Sequence, residues 1–288
     1  TTMSQIVYVN GEFVPAAEAK VSVFDRGFLM ADAVYEVTSI IGGKIIDFDG
    51  HATRLQRSMS ELEMVSPVTM DELLQIHRDI IEKNNLDEGG VYLQITRGAP
   101  DARDFAWPDP EEVSCGIVLF TFHKPMVDSK LMDEGIKVIS IADERWGRRD
   151  IKTTQLLYPS FAKMQAKKQG CQDAWLVEDG FVTEGTANNA YIVKDGTIIT
   201  RQLGNEILHG ITRAAILRFA LEAQMKVEER PFTIAEAQGA DEAFVTSATG
   251  FAQPVIEIDG AQIGTGVPGD ISKRLREIYT EEMIKAAI

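Results

Sequence analysis

Five stretches of the chain hold side chains suited to chemistry. Lys152 follows the charged run Asp143–Asp150 and precedes an apolar segment. A lysine so placed is ordinarily a solvated surface charge. In a partly dry pocket the same amine sheds its proton more readily and can attack an aldehyde. Nothing at Lys152 alone decides between the two. Phe181–Asn189 sets a carboxylate, Glu184, after a short strand pattern and ahead of hydroxyls and amides ending in Asn188-Asn189. His209-Gly210-Ile211-Thr212-Arg213 opens a helical pattern, and free N–H groups at a helix start attract anions. Val245–Gly250 is a small, polar turn that either cradles a phosphate or simply reverses the chain. Arg54 is either a solvated charge or a clamp for an anion.

These residues need elements to carry them. Val7–Val9 and Glu12–Val14 flank Asn10-Gly11, a tight hairpin signal. Ala33–Ile41 and Lys44–Phe48 read as strands around Gly42-Gly43. His51–Met64 has helical spacing, with Leu55, Met59 and Leu62 on one face, and Asp71–Leu86 repeats it with Leu73, Ile76 and Ile80. Val91–Thr96 and Cys115–Phe122 are strands separated by a long polar stretch, Arg97–Glu112, of the kind that often serves function. His123–Lys130 marks a boundary. Beyond it, strands at Gly135–Ala142, Ala174–Val177, Ala190–Val193, Ala243–Thr246 and Val255–Ile258 mix with helices at Leu156–Gln169, Ile211–Met225 and Asp270–Ala287. Strands and helices in this order indicate an α+β or α/β two-domain fold rather than a strict βαβ alternation.

Charge narrows the class. Lys and Arg number 29 against 44 Asp and Glu, a net −15, which disfavours phosphate backbones, so no nucleic acid partner is expected. No apolar run approaches the ~18 residues of a membrane helix, and the N-terminus carries no basic segment followed by an apolar core. No membrane partner and no signal peptide are expected. Cys115 and Cys171 read as reduced thiols, in keeping with a cytoplasmic location, and no metal site is expected.

Taken in order, Asp150-Ile151-Lys152, Thr183-Glu184-Gly185, Gly210-Ile211-Thr212-Arg213 and Thr246-Ser247, preceded by Asp25-Arg26-Gly27 and Tyr35-Glu36, form a pattern. It resembles the class IV (fold type IV) aminotransferases, which use pyridoxal 5'-phosphate (PLP), and among them chiefly the D-amino acid transaminases. The resemblance spans nearly the whole chain. It implies a smaller N-terminal domain (1–122), a linker (123–131) and a larger C-terminal domain (132–288) holding the cofactor lysine, in a homodimer with active sites near the interface. By the resemblance, Lys152 carries the cofactor and moves the substrate proton, and Glu184 keeps the pyridine nitrogen protonated. Arg54 and the backbone N–H groups of Ile211 and Thr212 hold the phosphate. Ser247, Ala248 and Thr249 form a second phosphate turn. Ala248 replaces a hydroxyl there, so contact falls to the backbone or to Thr249. Arg145 stands near the ring, and Asn189 lies behind the Glu184 loop.

The same resemblance assigns the pocket to Tyr35, Val37, Arg103 and Phe105. Tyr35 and Arg103 match groups that hold a substrate carboxylate, while Phe105 replaces the histidine of an Arg-x-His pair. Thr38-Ser39 and Phe105-Ala106-Trp107 lean toward (R)-amine transaminases. The expected reaction moves an amino group from a D-amino acid, and from an (R)-amine as well, to an α-keto acid such as pyruvate or 2-oxoglutarate. The alternatives are an (R)-selective amine transaminase, an aminodeoxychorismate lyase and a branched-chain amino acid transaminase. The last is disfavoured because Tyr35-Glu36-Val37 lacks that subgroup's glycine. From a different class, a catalytically silent PLP-binding protein is opposed by the intact set Lys152, Glu184 and Arg54.

Overall fold

Asn10 and Gly11 take up left-handed backbone (φ 47° and 101°) and turn β1 (Ile6–Val9) into β2 (Glu12–Pro15). The computed structural model describes residues 5–288. The chain divides into two units. The first holds the residues up to Pro125, the segment Ile151–Gln155 and the end, Ala286–Ile288; the second holds Met126–Asp150 and Leu156–Lys285.

In the first unit, α1 (Arg26–Met30) is capped by Asp25, whose carboxylate accepts from the Gly27 N–H at 2.8 Å. Then come β3 (Ala33–Ile41), β4 (Lys44–Ile45), α2 (Phe48–Glu61), α3 (Met70–Lys83), β5 (Glu88–Thr96) and β6 (Gly116–His123). All six strands pair antiparallel in the order β2-β1-β6-β5-β3-β4. Strand alternation sends Val34 and Ile40 of β3 into a core with Leu55, Met59, Leu73 and Ile80 of the helices. Tyr35 and Val37 therefore share the other face. The expected strand Lys44–Phe48 shortens to two residues because Asp47 turns left-handed (φ 52°) and α2 begins at once.

The second unit contains α4 (Lys130–Glu134), β7 (Ile136–Ala142), α5 (Leu157–Lys168), β8 (Asp173–Glu178), β9 (Phe181–Gly185), β10 (Asn189–Lys194) and β11 (Thr197–Thr200). It continues through α6 (Ile211–Glu222), β12 (Lys226–Glu229), α7 (Ile234–Gln238), β13 (Glu242–Ser247), β14 (Phe251–Ile258), β15 (Ala261–Gln262) and α8 (Asp270–Ala286). The strands form a mixed sheet ordered β12-β11-β10-β13-β14-β7-β8-β9, with β15 on β14. Its core gathers Trp175, Phe232, Val245 and Ile258. Glu184 lies within β9 rather than after a strand.

Lys152 groups with the first unit, through the segment Ile151–Gln155. The cause is backbone pairing: Thr153 bridges Val34, and the Thr154 N–H donates to Ala33 O at 3.1 Å. Ile151 is buried in the first unit's core.

Candidate active site

The main chain of Lys152 is fixed from two sides. Its carbonyl accepts from the Tyr35 N–H of β3 at 3.0 Å, and its own N–H donates to Ser58 Oγ of α2 at 3.3 Å. The half-buried side chain ends with Nζ 4.2 Å from the centroid of the Tyr35 ring. Tyr35 stacks on Tyr92 at 5.6 Å, and the Tyr92 hydroxyl donates to Gln94 Oε1 at 2.8 Å. The amine thus stands over an aromatic shelf that fixes its height without supplying a carboxylate.

Arg54 is not a solvated charge. Its Nε and Nη2 reach the two oxygens of Glu36 at 2.7 Å each, and His51 Nδ1 lies 2.7 Å from Glu36 Oε2. Burial pushes the Glu36 carboxyl up, but the Arg54 charge and the bonds from Arg54 and His51 outweigh it and draw it down to about 2. His51 and Arg54 sit three residues apart on α2, so one helix face presents both to β3. Arg103 and Phe105 stand on the exposed loop between β5 and β6. Phe105 is 77 % exposed, and the Arg103 guanidinium lies 5.0 Å from its ring centroid.

In the second unit Glu184 is fully enclosed and takes bonds from three neighbours. Arg145 Nη1 donates at 2.7 Å, Asn189 Nδ2 at 3.0 Å and the Leu208 N–H at 3.1 Å. Burial raises its carboxyl above the ordinary range, against the pull of Arg145 and the Leu208 N–H. Arg145 is itself forked onto Asp143 at 3.0 and 2.8 Å, and Thr183 Oγ1 donates to the same carboxylate at 2.7 Å. Arg149 ties the loop together by donating to the carbonyls of Arg145 and Trp146 and to Glu178.

Asn189 connects this carboxylate to the start of α6. Its Nδ2 also donates to Leu208 O at 3.0 Å, and a Cβ on Gly210 would collide with its Oδ1. Only glycine lets the helix begin this close to the amide. Among the described residues no side chain caps α6, so Ile211 and Thr212 present backbone N–H groups at its N-terminus. Asn189 pairs in register with Thr246, and beyond β13 the Gly250 N–H donates to Ser247 Oγ at 3.0 Å. Ser247, Ala248 and Thr249 form that turn beside the same end of the sheet.

Each unit carries groups whose chemistry suits PLP. In the second unit Glu184 keeps acceptor oxygens in a dry setting, suited to a ring N–H, and the uncapped α6 start suits a phosphate dianion. In the first unit the half-buried amine of Lys152 suits an aldehyde. Sequence reasoning names Lys152, Glu184 and Arg145 but not Asp143, Arg149 or His51, whose bonds orient their neighbours. For His51 a signal existed in its three-residue spacing from Arg54. For Asp143 and Arg149 it was lost in a run of charges.

Fold and site together define a PLP-dependent aminotransferase of fold type IV. The class IV amino-transferase model matches residues 33–258, and the chain belongs to that family. A D-alanine aminotransferase of Staphylococcus haemolyticus is 37% identical over 277 residues, covering 96% of each chain. One from Listeria monocytogenes is 35% identical over 280 residues, covering 97% of this chain and 96% of its own. Among solved structures, the Escherichia coli branched-chain amino acid aminotransferase superposes with a TM-score of 0.88 at 24% identity, covering 97% of this chain and 95% of its own. A T.th. branched-chain amino acid aminotransferase complexed with N-(5'-phosphopyridoxyl)-L-glutamate gives 0.87 at 26% identity, covering 99% and 96%. Among the described residues, no helix is long and apolar enough to cross a membrane.

Proposed function

We propose that this protein transfers the amino group of a D-amino acid, D-alanine first among them, to an α-keto acid such as pyruvate or 2-oxoglutarate. The observation that carries this reading is the 35–37% identity to D-alanine aminotransferases along nearly the full length of both chains. The branched-chain enzymes share the fold at 24–26% identity.

When bound, PLP supplies an aldehyde for the amine and an electron-withdrawing ring for the carbon that loses its proton. Lys152 would hold the cofactor through its amine, and its Nζ would move the proton of the donor's α-carbon. Glu184 would keep a proton on the ring nitrogen, and Arg145 and Asn189 hold Glu184 in place. The N–H groups of Ile211 and Thr212, the Ser247–Thr249 turn and Arg54 carry the phosphate. Tyr35, Val37 and Arg103 orient the substrate, with Arg103 forked on its carboxylate.

A donor panel of D-alanine, D-glutamate, L-leucine and (R)-1-phenylethylamine, run with pyruvate and 2-oxoglutarate, tests the proposal. D-alanine with 2-oxoglutarate should be the fastest pair, and Lys152→Ala should abolish both turnover and the visible absorbance of the bound cofactor. A preference for L-leucine would overturn the assignment. Activity on the amine is expected beside the D-amino acids, because Phe105 offers an apolar ring where a histidine would compete for it.

A further inference from the structure

Arg26 lies in the first turn of α1 and is only 3 % exposed. Its guanidinium does not face solvent or a single acid. Nη1 donates to the carbonyls of Asp104 and Ala106, the latter at 3.2 Å, and Nη2 donates to the carbonyl of Phe105 at 3.3 Å. One side chain thus gathers three consecutive carbonyls at the crown of the β5–β6 loop. Nε donates to Asp32 Oδ2 at 2.7 Å.

The same oxygen accepts from Arg97 Nε at 2.8 Å. Arg97 is 6 % exposed, and its guanidinium carbon lies 3.9 Å from the ring centroid of Trp107, the residue after the three pinned carbonyls. Its Nη2 has no partner among the described residues. Two buried guanidiniums therefore share one carboxylate, and the second acts on the loop through an indole face. The base of the loop is fixed as well. The Arg26 N–H donates to Gly98 O at 2.9 Å, the Arg97 N–H donates to Asp32 O at 3.1 Å, and a Cβ on Gly98 (φ 96°) would collide with Ser114 O.

A long polar connection with no secondary structure of its own pays for every ordered residue in chain entropy. Here that cost is offset by buried charge-assisted bonds to backbone rather than by packing, since Phe105 and Trp107 are exposed. Such a device fixes where the loop's backbone runs while leaving its side chains free to meet a ligand.

We propose that Arg26 and Arg97, joined through Asp32, are positioning residues that preset the 98–113 loop so that Arg103 is already oriented for the substrate carboxylate. This rests on the reading of Arg103 given above. The clamp touches neither Lys152 nor Glu184, so its loss should weaken substrate capture rather than the proton transfer.

The experiment compares Arg26→Ala, Trp107→Ala and Arg103→Ala with wild type as holoenzymes. It uses steady-state kinetics on the keto acid and limited trypsin digestion at the Arg103–Asp104 bond followed by mass spectrometry. Arg26→Ala should raise the KM for the keto acid about tenfold while kcat stays within about threefold. Cleavage after Arg103 should accelerate about fivefold or more, because local opening becomes easier. Trp107→Ala, at an exposed site that leaves the buried cluster intact, should move both readouts the same way by less, and it serves if Arg26→Ala does not fold. Unchanged cleavage in a folded variant would overturn the clamp. Faster cleavage with unchanged KM, where Arg103→Ala does raise KM, would overturn its role in substrate capture. If Arg103→Ala itself leaves KM unchanged, the carboxylate reading of Arg103 fails and the positioning proposal falls with it. Cleavage rates then still report whether the clamp orders the loop.

Discussion

Glu36 and Glu184 are both wholly enclosed carboxylates, and their neighbours send them in opposite directions. Glu36 meets a forked Arg54 and His51, which overcome burial and draw its carboxyl from 4.5 to about 2. A carboxyl lowered in the folded state stabilises the fold above its ordinary value. That contribution is lost as pH falls from about 4.5 through about 2 and amounts to about 3 kcal/mol. In the apo-protein, Glu36→Gln should remove this part of the acid limb and also cost about 3 kcal/mol at neutral pH, because Arg54 is left buried without its counter-charge. Urea unfolding of both proteins at pH 7, 4.5 and 3 checks this; parallel curves at every pH would contradict it. Glu184 shares its one arginine with Asp143, and burial prevails in raising its carboxyl. Under the proposed role, a ring N–H would add to the three donors that Glu184 already accepts from. Glu184→Gln should keep PLP bound yet slow the donor half-reaction tenfold or more, about 1.4 kcal/mol, since an amide cannot hold that proton as a carboxylate does. A rate within about threefold of wild type would remove Glu184 from this role.

At the scale of elements, the start of α6 carries the most consequence for the least material. Gly210 has φ −60° and ψ 132°, which any residue adopts, so its need for glycine is purely steric. A methyl group there collides with Asn189 Oδ1 and must displace the amide that bridges Glu184 and Leu208 O. Gly210→Ala should therefore lower the affinity of apo-protein for PLP about tenfold without unfolding it. An unchanged titration would show that Asn189 can yield. Elements built from local signals were legible in the sequence: β3 runs Ala33–Ile41 as its β-branched, apolar composition indicates, and the Asn10-Gly11 hairpin turns where expected. Elements held by distant partners were not. Ile151–Gln155 has no strand pattern, and only pairing with β3 over a long sequence separation draws Lys152 into the first unit. β12 reads Lys-Val-Glu-Glu, an edge strand with no buried residue, so the helical pattern before it hid it. α7 was overlooked although its capping box, Thr233 with Glu236, is visible in sequence. The candidate site was legible as an ordered set of short motifs. The ion pairs that orient it were not, because a charge run does not reveal which arginine meets which acid.

At the scale of the whole molecule, the first unit exposes several large apolar side chains. Val23 (67 %), Phe24 (43 %) and Phe28 (70 %) lie next in sequence to Arg26, whose guanidinium pins the backbone beside Phe105 (77 %) and Trp107 (49 %). Single exposed hydrophobics are ordinary, but several on two segments tied through Arg26 are what a contact with another surface would cover. A second copy of the chain is the expected occupant, so light scattering should give a mass about twice 31.8 kDa. Phe28→Asp should shift the protein toward monomer, because a carboxylate would be buried there without a partner. Cofactor affinity should survive in that variant, since every group proposed to hold PLP, Lys152 and Arg54 as well as Glu184 and the start of α6, is taken from one chain. Turnover should fall in proportion to the monomer fraction if the loop bearing Arg103 serves the neighbouring copy. A dilution series of wild type and Phe28→Asp, with specific activity plotted against monomer fraction, separates the outcomes. A monomeric wild type would remove the interface altogether. A Phe28→Asp protein that remains dimeric would move it to another face. A monomer with full activity would leave the interface intact but confine each loop to the site of its own chain.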